Sequence, residues 1–376
     1  MIINGTEYKA VMTERTPEEI SGKLKRILEE RGNSKDIDAM LAQYPSIPKF
    51  VSPYLHAIYF KNLEPHRAAG FMDEAITELQ SDPICRSSKD FVNKATYHII
   101  YEPFVKQLWS QAGEIYANVD RFDDSVEVYK KHQLYHCRIK GDDVSRGLLS
   151  FRPISKYALV DLINNQLTVC SPRVMNDPFD TLLLSWGDYH LRKKQGRKYV
   201  EPYVQSMEYF RIRSFSRIPD DGDATKILSN VLMWSHYADN QYGMCIEYHF
   251  SDGFTKTDDK RVLRFRNVIY KANEEPVSLD KSAINTDLSL LTKMDAWKKE
   301  DEARLISYIP DVEGQFVPIK LDSESYIKSI YFGIRCSNGD MATVRNVLKG
   351  QKVNFYQMKP NPTDIFNPII DSVDKD

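Results

Sequence analysis

The spacing of apolar positions changes along the chain. Up to about residue 132 they recur every three to four residues, the period of a helix with one buried face. Thr16 precedes Pro17, Glu18 and Glu19, which combines an N-cap, a proline at the first helical position and acids in the first turn. Ile20, Leu24, Ile27 and Leu28 then supply the apolar face. Ser34 opens a second helix, with Ile37, Met40 and Leu41 inside and Pro45 closing it. From Leu134 the texture shifts to short alternating segments, aromatic pairs and polar turns. Leu134–Arg138 is expected as a strand with His136 on one face and Tyr135 and Cys137 on the other. A short helix over SKYALVDLI, a strand over Leu167–Cys170 and a strand over YFRIRSFS (209–216) follow. In that last strand Phe210, Ile212, Ser214 and Ser216 share one face, and Arg211, Arg213 and Phe215 the other.

The stretch Leu232–Phe250 has the most unusual composition. Ile227, Leu228, Val231, Leu232, Trp234 and Ala238 recur at helical spacing, and the helix is expected to end near Asp239-Asn240 with Gly243 in the turn. Met244, Ile246, Tyr248 and Phe250 then alternate with Cys245, Glu247 and His249 as a half-buried strand. Further along, Val262–Tyr270 predicts a strand and Thr286–Lys299 a helix with Leu288, Leu291, Met294 and Trp297 as its seam. Leu305–Tyr308 and Ile330–Ile334 predict strands, Met341–Leu348 a helix and Val353–Met358 a closing strand. The expected fold class is α+β: an all-helical, repeat-like domain over 1–132, a mixed α+β domain over 133–362, and a loose tail over 363–376.

Within the helical part, Trp109-x-x-Ala-Gly113-x-x-Tyr116 followed by Ser125-x-x-x-Tyr129 is similar to the tetratricopeptide spacing. Gly113 would admit a partner helix, and Trp109 and Tyr116 would fill the groove. A looser copy runs through Tyr54–Tyr59, Ala75, Leu79 and Pro83. Such repeats commonly hold a peptide or a protein domain, so a protein partner is expected there; a plain helical bundle is the alternative.

Composition narrows the setting. Of 376 residues 42% are hydrophobic and 28% charged, the profile of a globular protein, and the net charge of −2 gives no global pull toward nucleic acid or membrane. A nucleic-acid acceptor therefore has no support from charge. Five dispersed cysteines without a CxxC argue against a zinc ribbon or a disulfide framework, and no metal is expected. The opening MIINGTEYKAV has no signal-peptide pattern and no apolar run is long enough to span a bilayer, so a cytoplasmic location is expected.

Candidate chemistry concentrates in the second part. Ser171–Asp180 packs polar groups against Met175 and Phe179, which predicts an ordered loop organised by Asn176, Asp177, Phe179 and Asp180. Asp177 is expected in a capping turn, and Asp180 could meet a basic partner or a metal. The basic run RKKQGRK before Tyr199 is expected as a solvated loop. Glu300, Glu302 and Arg304 sit at a helix-to-strand junction, where Glu302 and Arg304 can form an internal ion pair.

The joint order of Leu-Tyr-x-x-Arg (134–138), LINNQL (162–167), SPxxxNDPFD (171–180), SFS (214–216), MWSHYADNxxGxCIE (233–247), W-x-x-E-x-E-x-R (297–304) and IYFG (330–333) resembles a widespread bacterial family of unknown function. It covers residues 134 to about 360. The chain departs from it at His136, Cys137 and Ala303. A second resemblance is to mono-ADP-ribosyltransferases, through an Arg on a first strand, Ser-x-Ser on a later strand and then Glu-x-Glu. This resemblance implies NAD as substrate. Arg138 or His136 would grip the NAD phosphates or ribose, and Ser214 and Ser216 would brace the nicotinamide wall. Glu302 would bind the nicotinamide ribose, Glu300 would orient the acceptor, and Trp234 or Tyr237 would stack on nicotinamide. A helical front joined to such a domain is similar to effectors of stress or phage defence.

Two other readings compete. A hydrolase or nuclease would use His136 and His236 with Asp177, Asp180 or Glu302, which places His236 within hydrogen-bond reach of an acid. A binding module without catalysis would turn Glu302 to solvent or onto Arg304.

Overall fold

The computed structural model describes residues 2–3, 6–7, 16–29, 33–44, 47–81, 91–139, 142–145, 147–175, 177, 180, 200–255, 262–272, 286–309, 312–364 and 367–373. The chain divides into two units, Met1–Ile139 with His190–Met207, and Lys140–Tyr189 with Glu208–Asp376. Among the described residues no helix is long and apolar enough to cross a membrane.

Among its described residues the first unit is helical apart from a two-residue strand pair, β1 (Ile2–Ile3) and β2 (Thr6–Glu7). Its helices are Thr16–Glu29, Ser34–Leu41, Val51–Phe60, Pro65–Ser81, Phe91–Asn118, Phe122–Ile139 and Val200–Met207. Asn33, one residue before the expected start, caps the second helix in a reciprocal box with Asp36. The long helices Phe91–Asn118 and Phe122–Ile139 form a hairpin that closes over Gly113, where a Cβ would lie 2.3 Å from the Tyr129 ring. The Ser125 hydroxyl donates to the Gly113 carbonyl at 2.7 Å, so the close approach foreseen from the sequence is present. Trp109 and Tyr116 are buried, and the Tyr116 hydroxyl donates to Asp73 on the preceding hairpin at 2.7 Å.

Leu134–Arg138 is not a strand but the end of the helix Phe122–Ile139. Val126, Tyr129 and Gln133 are buried on one face of that helix, and a five-residue alternation cannot outweigh a periodicity already running through it. His136 and Arg138 therefore belong to the helical unit, and their side chains lie outside the described residues.

The second unit is built on a ten-stranded sheet. Its strands are β3 (Gly147–Arg152), β4 (Gln166–Cys170), β5 (Phe210–Arg217), β6 (Met244–His249), β7 (Val262–Asn267), β10 (Glu302–Tyr308), β11 (Phe316–Lys320), β12 (Tyr326–Phe332), β13 (Asn354–Lys359) and β14 (Ile369–Ser372). Two short strands, β8 (Ile269–Lys271) and β9 (Thr292–Met294), pair separately in parallel. The main path runs β11-β4-β5-β3-β6-β12-β13-β14, while β10 pairs with β5 and β7. The tail, expected to be loose, supplies the edge strand β14 against β13.

Both faces of the sheet are covered. Leu148, Ile246, Tyr248, Phe215 and Phe265 belong to a large core on one side. Leu149, Phe151, Cys245 and Tyr331 pack on the other with Ile227, Leu228 and Trp234. That is why β6 is buried from Met244 to Tyr248 rather than half-buried as its alternation suggests. The helix foreseen through Ile227–Ala238 divides into Thr225–Leu228 and Val231–Tyr237, because the Asn230 side chain accepts from Leu232 N–H and caps a new start. The helix foreseen over Thr286–Lys299 also divides, into Thr286–Leu291, β9 and a 3-10 turn Asp295–Glu300. Its seam of Leu288, Leu291, Met294 and Trp297 repeats every three residues, a spacing that 3-10 geometry eclipses and an α-helix does not.

Candidate functional site

The sheet branches at β5. One edge of β5 pairs with β10 along its length, Glu302 opposite Ser216 and Arg304 opposite Ser214. The other edge is shared, with Ile212 opposite Cys170 of β4 and Ser216 opposite Leu149 of β3. Between those two points, from Arg213 to Phe215, no strand pairs with that edge among the described residues. A cleft of about 630 Å³ involves this gap. Its lining includes Ser150 and Arg152 from β3, Cys170 from β4, Arg213, Ser214 and Ser216 from β5, His236 and Tyr237, Lys293 and Trp297, and Asp177, Asp180, Glu300 and Glu302.

One part of the lining is a buried charge cluster. Arg304, fully buried, donates from Nε to Glu302 at 2.7 Å, from Nη2 to Asp180 at 2.6 Å and from Nη1 to the Leu290 carbonyl at 2.5 Å. Lys293 Nζ donates to Glu300 at 2.5 Å and to Glu302 at 3.0 Å. The Tyr237 hydroxyl donates to Glu300 at 2.6 Å. Asp301, in the left-handed region at φ 45, turns the chain between Glu300 and Glu302, so both carboxylates meet the one ammonium. Burial alone would raise the Glu302 carboxyl, but Arg304 and Lys293, with hydrogen bonds from Arg304 and Ser214, outweigh it and hold it at about 2. Burial pulls the Lys293 ammonium down, and Glu302, Glu300 and Asp180 reverse that and raise it. Three carboxylates against two cations leave these five groups with one net negative charge.

Another part of the lining is cationic. Arg152 donates to Asp161 at 2.8 Å, and Asp161 also accepts from Thr168 Oγ1 at 2.7 Å and Gln166 at 3.2 Å. Arg213 Nη2 donates to Ser150 Oγ at 2.8 Å. Burial, reinforced by the like charge of Arg152, lowers the Arg213 guanidinium to about 10.

Residues 233–305 match the model of a family described as protein of unknown function (DUF2971). The DUF2971 segment carries His236, Tyr237, Lys293, Trp297, Glu300, Glu302 and Arg304 of the site. Arg152, Asp180, Arg213, Ser214 and Ser216 lie upstream of it. Neither a curated protein nor a solved structure matches the chain. The tetratricopeptide and ADP-ribosyltransferase resemblances thus rest on residue spacing alone.

Of the residues singled out from the sequence, the structure brings Glu300, Glu302, Ser214, Ser216, His236, Tyr237, Asp177 and Asp180 to one cleft. Trp234 does not line it. Its ring packs edge-on against Phe151 at 5.1 Å and its Nε1 donates to the Leu228 carbonyl at 2.6 Å, so it is a core residue and not a stacking platform. His236 makes ring contacts with Trp297 and Tyr237 and no hydrogen bond to a carboxylate among the described residues, contrary to what the hydrolase reading requires. Asp180 has its basic partner, Arg304, and Glu302 turns onto Arg304 as the binding-module reading expects, while it also lines the cleft beside Ser216 as the transferase reading expects. Asp177 turns the backbone, its carbonyl accepting from Asp180 N–H at 2.9 Å. Asn176, Phe179 and the run RKKQGRK lie outside the described residues. Sequence reasoning missed Lys293, which an assumed continuous helix concealed, and Arg152 and Arg213. The signal available for Arg213 was weak: it shares a strand face with Phe215, opposite the face of Phe210 and Ile212.

Proposed function

We propose that the cleft binds NAD and breaks its nicotinamide–ribose bond, as an ADP-ribosyltransferase-like site. The observation that carries this reading is the register of β10 on β5, which sets Glu302 beside Ser216 at the edge of a cleft that also receives the first-strand arginine. That arginine is Arg152 on β3, not Arg138, so the role given to Arg138 and His136 passes to Arg152.

The chemistry follows from the charges. Heterolysis sends the C–N bonding pair to the nicotinamide ring, which leaves neutral, and develops positive charge on the ribose. A carboxylate fixed before the reaction stabilises that charge without reorganising. Glu302 is such a group, ionised and held by Arg304 and Lys293, and the net negative charge of its cluster is what remains for the ribose. Glu300, anchored by Tyr237, would orient the acceptor, whose proton leaves as its oxygen or nitrogen bonds to the ribose carbon. The helical unit takes the partner-recognition role, and the setting is a stress or phage-defence effector.

The test is calorimetric titration with NAD and assay of nicotinamide release, beside Arg152→Ala and Glu302→Gln. Arg152→Ala should weaken binding, and Glu302→Gln should lower release by about 100-fold or more while leaving NAD bound. Failure to bind millimolar NAD would sink the proposal, and binding without release would reduce it to a non-catalytic NAD sensor.

A further inference from the structure

We infer that Arg213 is the anchor of an oxyanion subsite within this cleft, one that takes a phosphate group of a pyrophosphate-bearing ligand. The inference deepens the NAD reading by supplying a seat for the pyrophosphate, yet it can stand or fall separately.

The same strand carries a structural arginine for contrast. Arg211, two residues earlier, donates to the Gly314 carbonyl from Nε and Nη2 at 3.0 and 2.5 Å, and to the Glu208 and Phe210 carbonyls at 2.5 and 2.8 Å. Its fork is filled by backbone oxygen. Arg304 is filled by two carboxylates and a carbonyl. Arg213 is different. Of its five N–H donors, the hydrogen bond to Ser150 uses one. Its Nε is buried with no partner, and it makes no ion pair among the described residues.

Its surroundings do not balance it. The titratable groups that act most on Arg213 are Arg152, Tyr248, Asp161 and Cys170. Arg152 carries the same charge. Asp161, the carboxylate among these four, is committed to Arg152, Thr168 and Gln166. Burial raises the Tyr248 hydroxyl, which interacts with Arg152, so it supplies no anion either. Burial drives a bulky thiol such as Cys170 toward its neutral form, so it supplies no anion.

A guanidinium in a cleft with unused donors carries a desolvation cost that water-exposed arginines do not. The fold could have avoided it with an apolar residue at this position of β5. An anion seated between Arg213 and Arg152 removes the cost. The planar fork matches the oxygens of a phosphate with two parallel hydrogen bonds. Asp161 balances Arg152, so one positive charge stays uncompensated, and the several oxygens of a pyrophosphate can engage both forks where a single carboxylate engages one. The Glu300–Glu302 cluster, of opposite sign, lines the same cleft.

The experiment uses the full-length chain and pyrophosphate, ADP-ribose and acetate as probes, read by calorimetry and thermal melting. Wild type should bind pyrophosphate and ADP-ribose and melt higher in their presence, with acetate much weaker. Arg213→Met should weaken pyrophosphate binding by roughly tenfold to a hundredfold, and Arg213→Lys by less. Free of ligand, Arg213→Met should melt higher than wild type, because an apolar chain of similar length replaces a half-buried cation whose Nε is buried and unpaired. A role as a strut to Ser150 predicts the reverse, so a lower melting point or a failure to fold overturns the inference. No binding of pyrophosphate or ADP-ribose at millimolar concentration overturns it, as does equal binding by Arg213→Met or an acetate affinity equal to that of pyrophosphate. Pyrophosphate binding without nicotinamide release leaves this subsite standing and the NAD-cleaving reading fallen. Nicotinamide release indifferent to Arg213→Met does the opposite.

Discussion

Replacing Glu302 by Gln keeps the side chain's shape and removes its charge, and the buried cluster makes the consequence calculable. Glu302 accepts from Arg304 and Lys293, and its carboxyl is held at about 2 against an ordinary 4.5. A folded-state value below the unfolded one adds stability that is full above 4.5 and is lost as pH falls toward 2. The difference amounts to on the order of 3 kcal/mol. At neutral pH the variant loses this and leaves Arg304 with Asp180 as its one carboxylate, a change of the kind that costs about 3–5 kcal/mol. As the solution is acidified the wild type loses its own advantage, so the gap between the two proteins should narrow by about 2 kcal/mol by about pH 3. Urea unfolding followed by tryptophan fluorescence reads this, since Trp186, Trp234 and Trp297 belong to the second unit and Trp109 to the first. A gap that stays constant from neutral pH to about pH 3, or a variant as stable as wild type at neutral pH, would refute the assigned pairing.

Two further outcomes follow from close approach and burial. Gly113→Ala places a methyl group within 2.3 Å of the Tyr129 ring and should lower the stability of the helical unit by about 1–3 kcal/mol, seen as an earlier loss of helical circular dichroism. Burial raises the Cys245 thiol well above its ordinary value, and burial with the nearby Asp340 charge pushes Cys336 up to about 12. In a timed alkylation at neutral pH read by mass spectrometry, both should react slowly in the native protein and rapidly in urea. Fast native labelling of either would contradict its placement.

Much of the second unit was legible because strands and caps are local. β5, β6 and β13 fall within a residue of their expected positions, β12 begins four residues before its expected start, and Ser214, Ser216, Glu300 and Glu302 line one cleft. What was not legible depended on tertiary context. The segment Leu134–Arg138 fits either period when taken alone, and the helix it continues decides the matter. The segment Thr286–Lys299 has helix-forming residues throughout, yet pairing of β9 with β8 draws Thr292–Met294 into a strand and delivers Lys293 to three carboxylates. Trp234 looked like a ligand contact because it stands close to His236 and Tyr237, but its indole N–H is spent on the Leu228 carbonyl and its ring packs on Phe151. Tyr237 reaches the cleft and Trp234 the core. Arg213 escaped notice since an arginine in an alternating strand is usually exposed, and whether it has a counter-charge is a property of distant strands.

The route of the chain between the units limits how the protein can be taken apart. It passes from the helical unit to the sheet after Ile139, returns at His190, and leaves again after Met207. The helix Val200–Met207 thus belongs to a unit otherwise made of the first 139 residues, and Tyr203 stacks edge-on with Tyr129 at 5.3 Å there. Cutting after Ile139 would strip that helix from its neighbours, uncovering Tyr129 on one fragment and Tyr203 and Met207 on the other, all three fully buried in the whole chain. Only two residues, Glu208 and Tyr209, join that helix to the strand bearing Arg213, Ser214 and Ser216. A simple truncation is therefore the wrong tool for asking what either unit does alone; a protein split at 139 would report the cost of the cut, and point substitutions in the intact chain are the way to separate the two contributions.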